Sequence, residues 1–115
     1  MTMRTSSGDE FSSWVVELMQ CIGPVTPRRM FGGTGLFLDG LMFALVIDGI
    51  LYLKADEQTR ALFIDQGLEP FTYLRKGKPC ALSYYQAPEE ALESLDVMRE
   101  WGSQAYGVAL RARNA

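Results

Sequence analysis

Hydrophobic residues recur every three or four positions near the start of the chain, which is the spacing of the buried face of an α-helix. The residues of this face are Phe11, Trp14, Val15, Leu18, Met19 and Ile22. Residues 7–10 have the Ser-x-x-Glu form of a capping box, and Gly23 followed by Pro24 stops a helix. The pattern predicts a first helix over about residues 8–22.

From Arg28 to Lys54 the hydrophobic residues form short runs that are typical of β-strands. Asp-Gly pairs at residues 39–40 and 48–49 separate these runs, and this dipeptide is favoured in two-residue hairpin turns. The segment therefore predicts a three-stranded antiparallel meander. Residues 41–47 are hydrophobic at odd and even positions alike, so we expect both faces of this middle strand to be at least partly covered.

The second half of the chain predicts a short helix followed by another hairpin. Asp56 is placed to cap a helix over about residues 57–66, with Leu62 and Phe63 facing inward and Gly67 at its end. Residues 71–74 and 80–85 then form two strands around a polar connection at residues 75–79, whose glycine and proline favour a turn.

The C-terminal part of the chain predicts a short helical turn opened by Pro88 and a last helix capped by Ser94. The predicted buried face of this last helix consists of Leu95, Met98, Trp101, Ala105, Val108 and Ala109. We expect the chain to fray after Arg111. The order α-β-β-β-α-β-β-α predicts one two-layer α+β domain over residues 1–115, with an ordered core at about 8–112. Its antiparallel sheet has about five strands, packed with N-terminal, middle and C-terminal helices.

Composition narrows the class of protein. The 115 residues are 48% hydrophobic and 22% charged, as in an ordinary globular domain, and the net charge of −3 argues against a dedicated nucleic-acid binder. Charge is uneven, with +3 over residues 71–85 and −4 over residues 89–100, which favours protein contacts. Cys21 and Cys80 form no Cys-x-x-Cys pair and follow no secretory leader, so we expect a cytoplasmic protein. No hydrophobic run reaches the roughly 20 residues that a membrane-spanning helix needs.

The sequence contains no histidine, which removes the commonest general base and the commonest metal ligand. Asp39 and Asp48 each precede a glycine in a predicted hairpin, so we interpret both as turn residues rather than as a catalytic pair. We therefore expect a protein that is not an enzyme and that holds no metal or cofactor.

Three glycines, Gly32, Gly33 and Gly35, follow the cations Arg28 and Arg29. A phosphate-binding loop would place such glycines before a helix, whereas a strand follows here, so we favour a bulge or bend that lets the first helix pack closely. A small-ligand or anion site at residues 32–35 remains an alternative. In an extended strand the two arginine side chains point in opposite directions.

A second candidate surface lies in the predicted hairpin, where Arg75, Lys76 and Lys78 precede Tyr84 and Tyr85. Tyrosine provides a large contact area with a polar tip, so these residues are a candidate protein-binding surface, although we favour packing of the tyrosines in the core or at a sheet edge. Weak DNA binding through the same cations is a further alternative. The acidic residues 89–100 form either a solvated helix face or a docking surface, and an exposed edge strand predicts a possible homodimer.

Several short motifs occur in one order along the chain. They are Arg29-Met30-Phe31-Gly32-Gly33-x-Gly35, Phe43-Ala44-Leu45, Leu51-Tyr52-Leu53-Lys54, Pro70-Phe71-x-Tyr73, Gly77-Lys78 and Ser83-Tyr84-Tyr85. Together with Trp101 in the last helix, this ordered set resembles the N-terminal domain of the TfoX/Sxy family of bacterial competence regulators over about residues 9–112.

The resemblance implies a cytoplasmic, non-enzymatic α+β domain that takes part in transcriptional regulation. Named members of the family promote expression of DNA-uptake genes together with the cyclic-AMP receptor protein, and they carry a second, helical domain. The resemblance therefore implies a single-domain form of the family here and a protein partner connected with transcription. It implies no catalytic or cofactor-binding residue, and the Arg-Met-Phe-Gly-Gly segment is shared as a structural signature.

Overall fold

The computed structural model describes residues 7–30 and 32–114, with side chains from residue 10 onward. The described elements are α1 (Ser7–Met19), β1 (Thr26–Met30), β2 (Gly33–Leu38), β3 (Leu41–Ile47), β4 (Ile50–Lys54), α2 (Arg60–Asp65), β5 (Pro70–Arg75), β6 (Lys78–Gln86), α3 (Glu89–Glu93) and α4 (Leu95–Asn114). The capping box predicted at residues 7–10 depends on side chains 7–9, which lie outside this description.

The strands form one antiparallel sheet in the order β1-β2-β3-β4-β6-β5, which confirms the predicted α+β class. The sheet contains six described strands rather than about five. The difference arises because residues 26–38 form two strands joined at Gly32, whose φ of 73° lies in the left-handed region. The meander therefore has four strands instead of three. The short helical turn predicted after Pro88 is the five-residue helix α3, and α4 follows it as predicted.

Both Asp-Gly turns have the predicted two-residue geometry. Asp39 and Asp48 each have a φ of 53°, and the glycines that follow them have φ values of 79° and 74°. Positive φ at both central residues is the signature of the type I′ turn, whose twist matches that of the flanking strands.

The third hairpin differs from its prediction. Its turn consists of Lys76 and Gly77 alone, with φ values of 53° and 78°, rather than of residues 75–79. Arg75 and Lys78 close this turn as paired strand residues, and Pro79 lies inside β6 opposite Leu74. The strands are therefore longer than predicted, and the hairpin forms a two-stranded arm.

The helices pack against one face of the sheet, as a two-layer arrangement requires. Helix α4 contacts β3 and β4, while α1 contacts β1, β2 and α4. The sheet contributes to the core from this face, and its fully or nearly buried residues are Leu36, Leu38, Phe43, Ala44, Val46, Leu51 and Leu53. The domain thus has one hydrophobic core between its helices and the central strands.

Strand β3 is buried on both sides of the pleat, as predicted. Phe43, Ala44, Leu45 and Val46 are all at most 2% exposed. A register irregularity against β2 places an extra residue in β3, so the consecutive residues Phe43 and Ala44 both belong to the core cluster. Leu45 is buried on the other face, where it pairs with Tyr52 of β4.

Helix α1 ends at Met19 rather than near residue 22, and a turn follows it. Val15 and Met19 are fully buried as predicted, but Trp14 is 44% exposed, so its predicted inward orientation is wrong. The Trp14 ring lies 5.9 Å from that of Phe11 on the flank of the helix. Contact between these two rings covers part of the tryptophan without bringing it into the core.

Helix α2 is shorter than predicted and begins at Arg60. The Asp56 carboxylate accepts hydrogen bonds from the backbone N–H groups of Gln58 and Thr59 at 3.0 and 3.2 Å, so it caps the turn before the helix. Phe63 is fully buried as predicted, whereas Leu62 is 46% exposed and does not face inward. A six-residue helix has a narrow inward face, and Phe63 is the buried residue of this face. Its end at Gly67, with a φ of 71°, has the predicted left-handed geometry.

Helix α4 begins where the sequence predicted, because the Ser94 hydroxyl accepts a hydrogen bond from the Val97 backbone N–H at 3.3 Å. Its predicted inward face is correct except for Leu95, which is 51% exposed on the first turn. Trp101 is half-buried with its ring 5.1 Å from that of Phe63. The helix continues to Asn114, so the predicted fraying after Arg111 is wrong.

Candidate functional site

The glycine segment shapes the first part of the sheet. Gly32 occupies the turn between β1 and β2, and Gly33 begins β2. A Cβ atom on Gly33 would overlap the backbone carbonyl oxygen of Val46 in β3 and would lie 2.5 Å from Cγ1 of Ile47. This glycine therefore permits the close approach of β3, not of the first helix as the sequence predicted.

Gly35 lies in the middle of β2 under a small group of apolar side chains. A Cβ atom there would meet the sulfur atoms of Met30 and Met42 at 3.0 and 3.2 Å and the edge of the Phe37 ring at 3.2 Å. These groups lie on the face of the sheet away from the helices. The predicted structural role of the glycines is thus supported by two different packing constraints in one strand.

Arg28 and Arg29 point to opposite faces, as their positions in a strand predict. Arg28 pairs with Gly35, and its guanidinium carbon lies 5.3 Å from the centre of the Phe37 ring, within range of a cation–π contact. Arg29 pairs with Thr34 on the helix side. The two side chains therefore lie on opposite faces of the sheet, although both residues line a cavity between α1 and the β1–β2 pair.

A cavity of about 260 Å³ lies between α1 and the β1–β2 pair. Ser12, Ser13, Thr34 and Arg29 contribute polar groups to its lining, and the hydroxyl oxygens of Ser12 and Thr34 are 3.5 Å apart. Hydroxyl and guanidinium groups are donors that suit a small anion. Of residues 32–35, only Thr34 lines this cavity, so a small-ligand or anion site at those residues stays a prediction.

The second predicted surface is the turn of the β5–β6 hairpin. Arg75, Lys76 and Lys78 are all exposed there, and Leu74 beside them is 73% exposed. Residues 70–86 contain no aspartate or glutamate, so no acidic residue within the hairpin neutralises these three cations. The hairpin thus presents positive charge next to an exposed hydrophobic side chain.

Tyr84 and Tyr85 do not join the cations of this turn. Tyr84 lies opposite Lys54, whose ammonium nitrogen is 5.1 Å from the centre of its ring, and it is 8% exposed. Burial raises the pKa of Tyr84 to about 12. Tyr85 faces the helices instead and stacks on Phe63 with 5.3 Å between ring centres. Tyr84 lies six positions after Lys78 along the strand, about 20 Å at the usual rise of about 3.3 Å per residue.

The two groups of predicted site residues lie in different parts of the sheet. Strands β3 and β4 separate β2 from β6. At about 4.8 Å between neighbouring strands, β2 and β6 are about 14 Å apart across the sheet. The glycine segment and the basic hairpin are therefore two separate candidate surfaces.

The acidic segment lies on α3 and the first turns of α4. All five carboxylates of residues 89–100 are exposed, and Asp96 makes an ion pair with Arg99 at 3.2 Å. These positions agree with a solvated helix face. Docking of a partner on the same residues remains a prediction.

Two contacts between distant parts of the chain are not predicted by the sequence. The Tyr106 hydroxyl donates a hydrogen bond of 2.9 Å to the Asp39 carboxylate, and this bond raises the pKa of Tyr106. The Arg111 guanidinium lies 2.8 Å from the Asp56 carboxylate beside an open cavity of about 430 Å³. Partial burial opposes ionisation of Asp56, but the bonds from Arg111 and from backbone N–H groups outweigh it and lower its pKa. Sequence separations of 67 and 55 residues leave no local signal for either contact.

The described residues form no candidate metal site. Over residues 7–30 and 32–114, no three cysteine, aspartate or glutamate side chains converge as a metal site would require. Cys21 and Cys80 are free and half-buried. None of the described helices is both long enough and apolar enough to cross a membrane.

Comparison with known proteins agrees with the ordered motifs. The chain is 37% identical over 68 residues to the DNA transformation protein TfoX1 of Aliivibrio fischeri, which covers 59% of this chain and 32% of that protein. It is 34% identical over 73 residues to Protein Sxy of Escherichia coli, covering 64% of this chain and 35% of that protein. The matches span about a third of each relative. The model of the TfoX N-terminal domain matches residues 17–109, so the chain belongs to the TfoX N-terminal domain family.

Proposed function

We propose that this domain is a non-enzymatic, cytoplasmic regulatory module that controls DNA uptake by binding a protein partner. Membership of the TfoX N-terminal domain family supports the regulatory part of this proposal, as does the name of the relative TfoX1, a DNA transformation protein. The absence of histidine from the sequence favours a role in binding rather than in chemistry, because histidine is the commonest general base.

The observation that carries the proposed binding mode is the basic turn of the β5–β6 hairpin. The hairpin has a net charge of +3 in a chain of net charge −3, so the remaining residues together carry −6. The cations therefore form a local positive surface on an acidic protein. Leu74 beside them is 73% exposed, and an exposed hydrophobic side chain surrounded by charges is typical of a protein contact. We infer a partner with an acidic surface and a hydrophobic depression.

A chimera tests this function. This chain replaces the matching segment of A. fischeri TfoX1 in a strain that lacks its own copy, and transformation frequency is measured with the protein level controlled. We expect the chimera to restore transformation. A chimera that accumulates at the normal level but restores none would contradict the proposed regulatory role.

A charge reversal in the same chimera tests the surface. Lys76→Glu combined with Lys78→Glu removes the positive turn, and Arg60→Glu combined with Arg113→Glu is the matched control, because it makes the same charge change at exposed positions elsewhere. We expect at least a tenfold loss of transformation in the first variant only. Equal effects of the two variants would show that the hairpin is not the contact surface.

DNA contact through the same hairpin is a second candidate function, favoured by its shape. A two-stranded ribbon fits the major groove of DNA, and the turn presents three cations. Binding through three phosphates would give a slope of about −2.7 for log K against log salt concentration. Fluorescence anisotropy with duplex DNA measures this slope. No binding at low salt would eliminate this function and leave the protein partner.

A further inference from the structure

The two edges of the sheet differ in how well they resist pairing with another strand. Strand β1 at one edge has the sequence Thr-Pro-Arg-Arg-Met, and proline and charged residues protect an edge. Strand β5 at the other edge has the uncharged centre Phe-Thr-Tyr-Leu, made mostly of residues that favour strands. Edge β5 is therefore the one that remains open to pairing.

The free side of β5 presents unpaired backbone groups. Within residues 7–30 and 32–114, β5 pairs with β6 alone, and Tyr73 and Leu74 are 36% and 73% exposed. Arg75 and Lys78 close a two-residue turn, and hydrogen-bonded and non-bonded pairs alternate from there as far as Thr72 and Ala81, before the register shifts between Thr72 and Pro70. The backbone N–H and C=O groups of Thr72 and Leu74 consequently point away from β6. Pro79, opposite Leu74, occupies a position where the ladder needs no N–H.

We propose that β5 is a homodimer interface, in which β5 edges of two copies pair antiparallel around a twofold axis at Thr72. In this register Thr72 lies opposite its own copy, and each Phe71 lies opposite the partner's Tyr73. Aromatic pairs and paired threonines stabilise neighbouring strands. Two hydrogen bonds form between the two Thr72 residues, and the two Leu74 N–H groups donate to the Pro70 carbonyl oxygens across the axis.

Charge at the ends of β5 selects this register. Glu69 directly precedes the strand and Arg75 ends it. Antiparallel pairing around Thr72 places each Glu69 opposite the Arg75 of the other copy, so opposite charges meet twice. A strand of another protein would need its own matching charges, whereas a second copy of this chain supplies them by symmetry. The interface does not depend on the proposed regulatory role.

Sedimentation velocity tests the dimer on the full chain. We expect a species of twice the monomer mass of 12.9 kDa at protein concentrations up to about 1 mM, where even a free energy of association of about −4 kcal/mol produces dimer. Thr72→Pro should weaken the dimer at least tenfold because it removes both central hydrogen bonds. Thr72→Val keeps the N–H and is the control that should still dimerise. Circular dichroism of Thr72→Pro checks that the monomer remains folded.

A charge swap tests the register independently of the backbone. Glu69→Lys alone and Arg75→Glu alone each place like charges across the axis, and each should weaken the dimer. The double variant Glu69→Lys with Arg75→Glu should restore it. A purely monomeric wild-type protein at 1 mM would overturn the proposal, as would a dimer that the folded Thr72→Pro variant leaves unchanged. Failure of the double variant to recover would overturn the register.

Discussion

Replacing Gly33 by alanine tests whether this residue is required for the close approach of β2 and β3. The added methyl group would overlap the Val46 carbonyl oxygen, which is fixed in a paired strand. A carbonyl group in a sheet cannot rotate away as a side chain does, so relief requires a movement of the backbone. The φ of Gly33 lies outside the left-handed region, which leaves this contact as the reason for the glycine.

The expected loss of stability follows from two opposing contributions. Forcing an extra methyl group into a packed site costs about 1–3 kcal/mol. The alanine also reduces the conformational entropy of the unfolded chain, which stabilises the fold by about 0.4–1 kcal/mol. We therefore expect Gly33→Ala to lower the free energy of unfolding by about 1–2 kcal/mol, and Gly33→Val, which is larger, to lower it further.

Gly35→Ala is the matched control because it lies in the same strand. Its methyl group would contact the sulfur atoms of Met30 and Met42, and methionine side chains adjust readily. Both variants change the unfolded chain in the same way, so their difference reports the native contacts. Urea denaturation followed by circular dichroism measures both free energies. Equal losses in the two variants, or no loss in Gly33→Ala, would refute the reasoning.

Three further predictions concern the core and two ionisable groups. Phe63→Ala should lower the free energy of unfolding, measured by urea denaturation, by about 3–5 kcal/mol because the Phe63 ring is fully buried. Trp101→Ala should lower it less because Trp101 is half-buried. A larger decrease for Trp101→Ala would contradict the packing described for α4. Tyr84 keeps its proton up to a pKa of about 12 in the fold but loses it near 10 when unfolded, so stability should fall as pH rises between these values, and Tyr84→Phe should reduce the fall. Asp56 has a lowered pKa, so its contribution should be lost as pH falls below 3.8, and Asp56→Asn should flatten acid unfolding measured by fluorescence. If Asp56→Asn unfolded in acid as the unsubstituted protein does, the contact between Asp56 and Arg111 would contribute nothing to stability.

The features that could be predicted from the sequence are those fixed by a few neighbouring residues. Asp39-Gly40 and Asp48-Gly49 adopt the expected turns because positive φ at both positions is favoured by those residue types. Ser94 caps α4 through the N–H of a residue three positions later. Local preference also explains why Arg28 and Arg29 were correctly assigned to opposite faces.

The features that could not be predicted depend on which elements become neighbours. Trp14 and Leu62 each stand beside another hydrophobic residue, and the packing partner decides which of the two is buried, whereas Leu95 is exposed on the first turn of α4. The predicted turn at residues 75–79 is wider than the turn at Lys76-Gly77 because proline favours turns. Pro79 is nevertheless a strand residue, since its pair with Leu74 requires no hydrogen bond from a backbone N–H. The separation of the candidate surfaces follows from the position of β3 and β4 between β2 and β6, and sheet order has no local signal.

The proposed dimer and the proposed partner contact share Arg75 and Leu74, but Lys76 and Lys78 belong to the partner contact alone, so both can operate together. Antiparallel pairing of two β5 edges directs the two basic turns away from each other, toward opposite ends of the joined strands. Lys76 and Lys78 lie beyond or beside the paired segment and remain exposed in this arrangement. Lys76→Glu with Lys78→Glu should consequently abolish partner binding and leave the dimer mass unchanged. Thr72→Pro should abolish the dimer and leave partner binding by the single copies unchanged. Dissociation of the dimer by the lysine variant would mean that the two surfaces overlap.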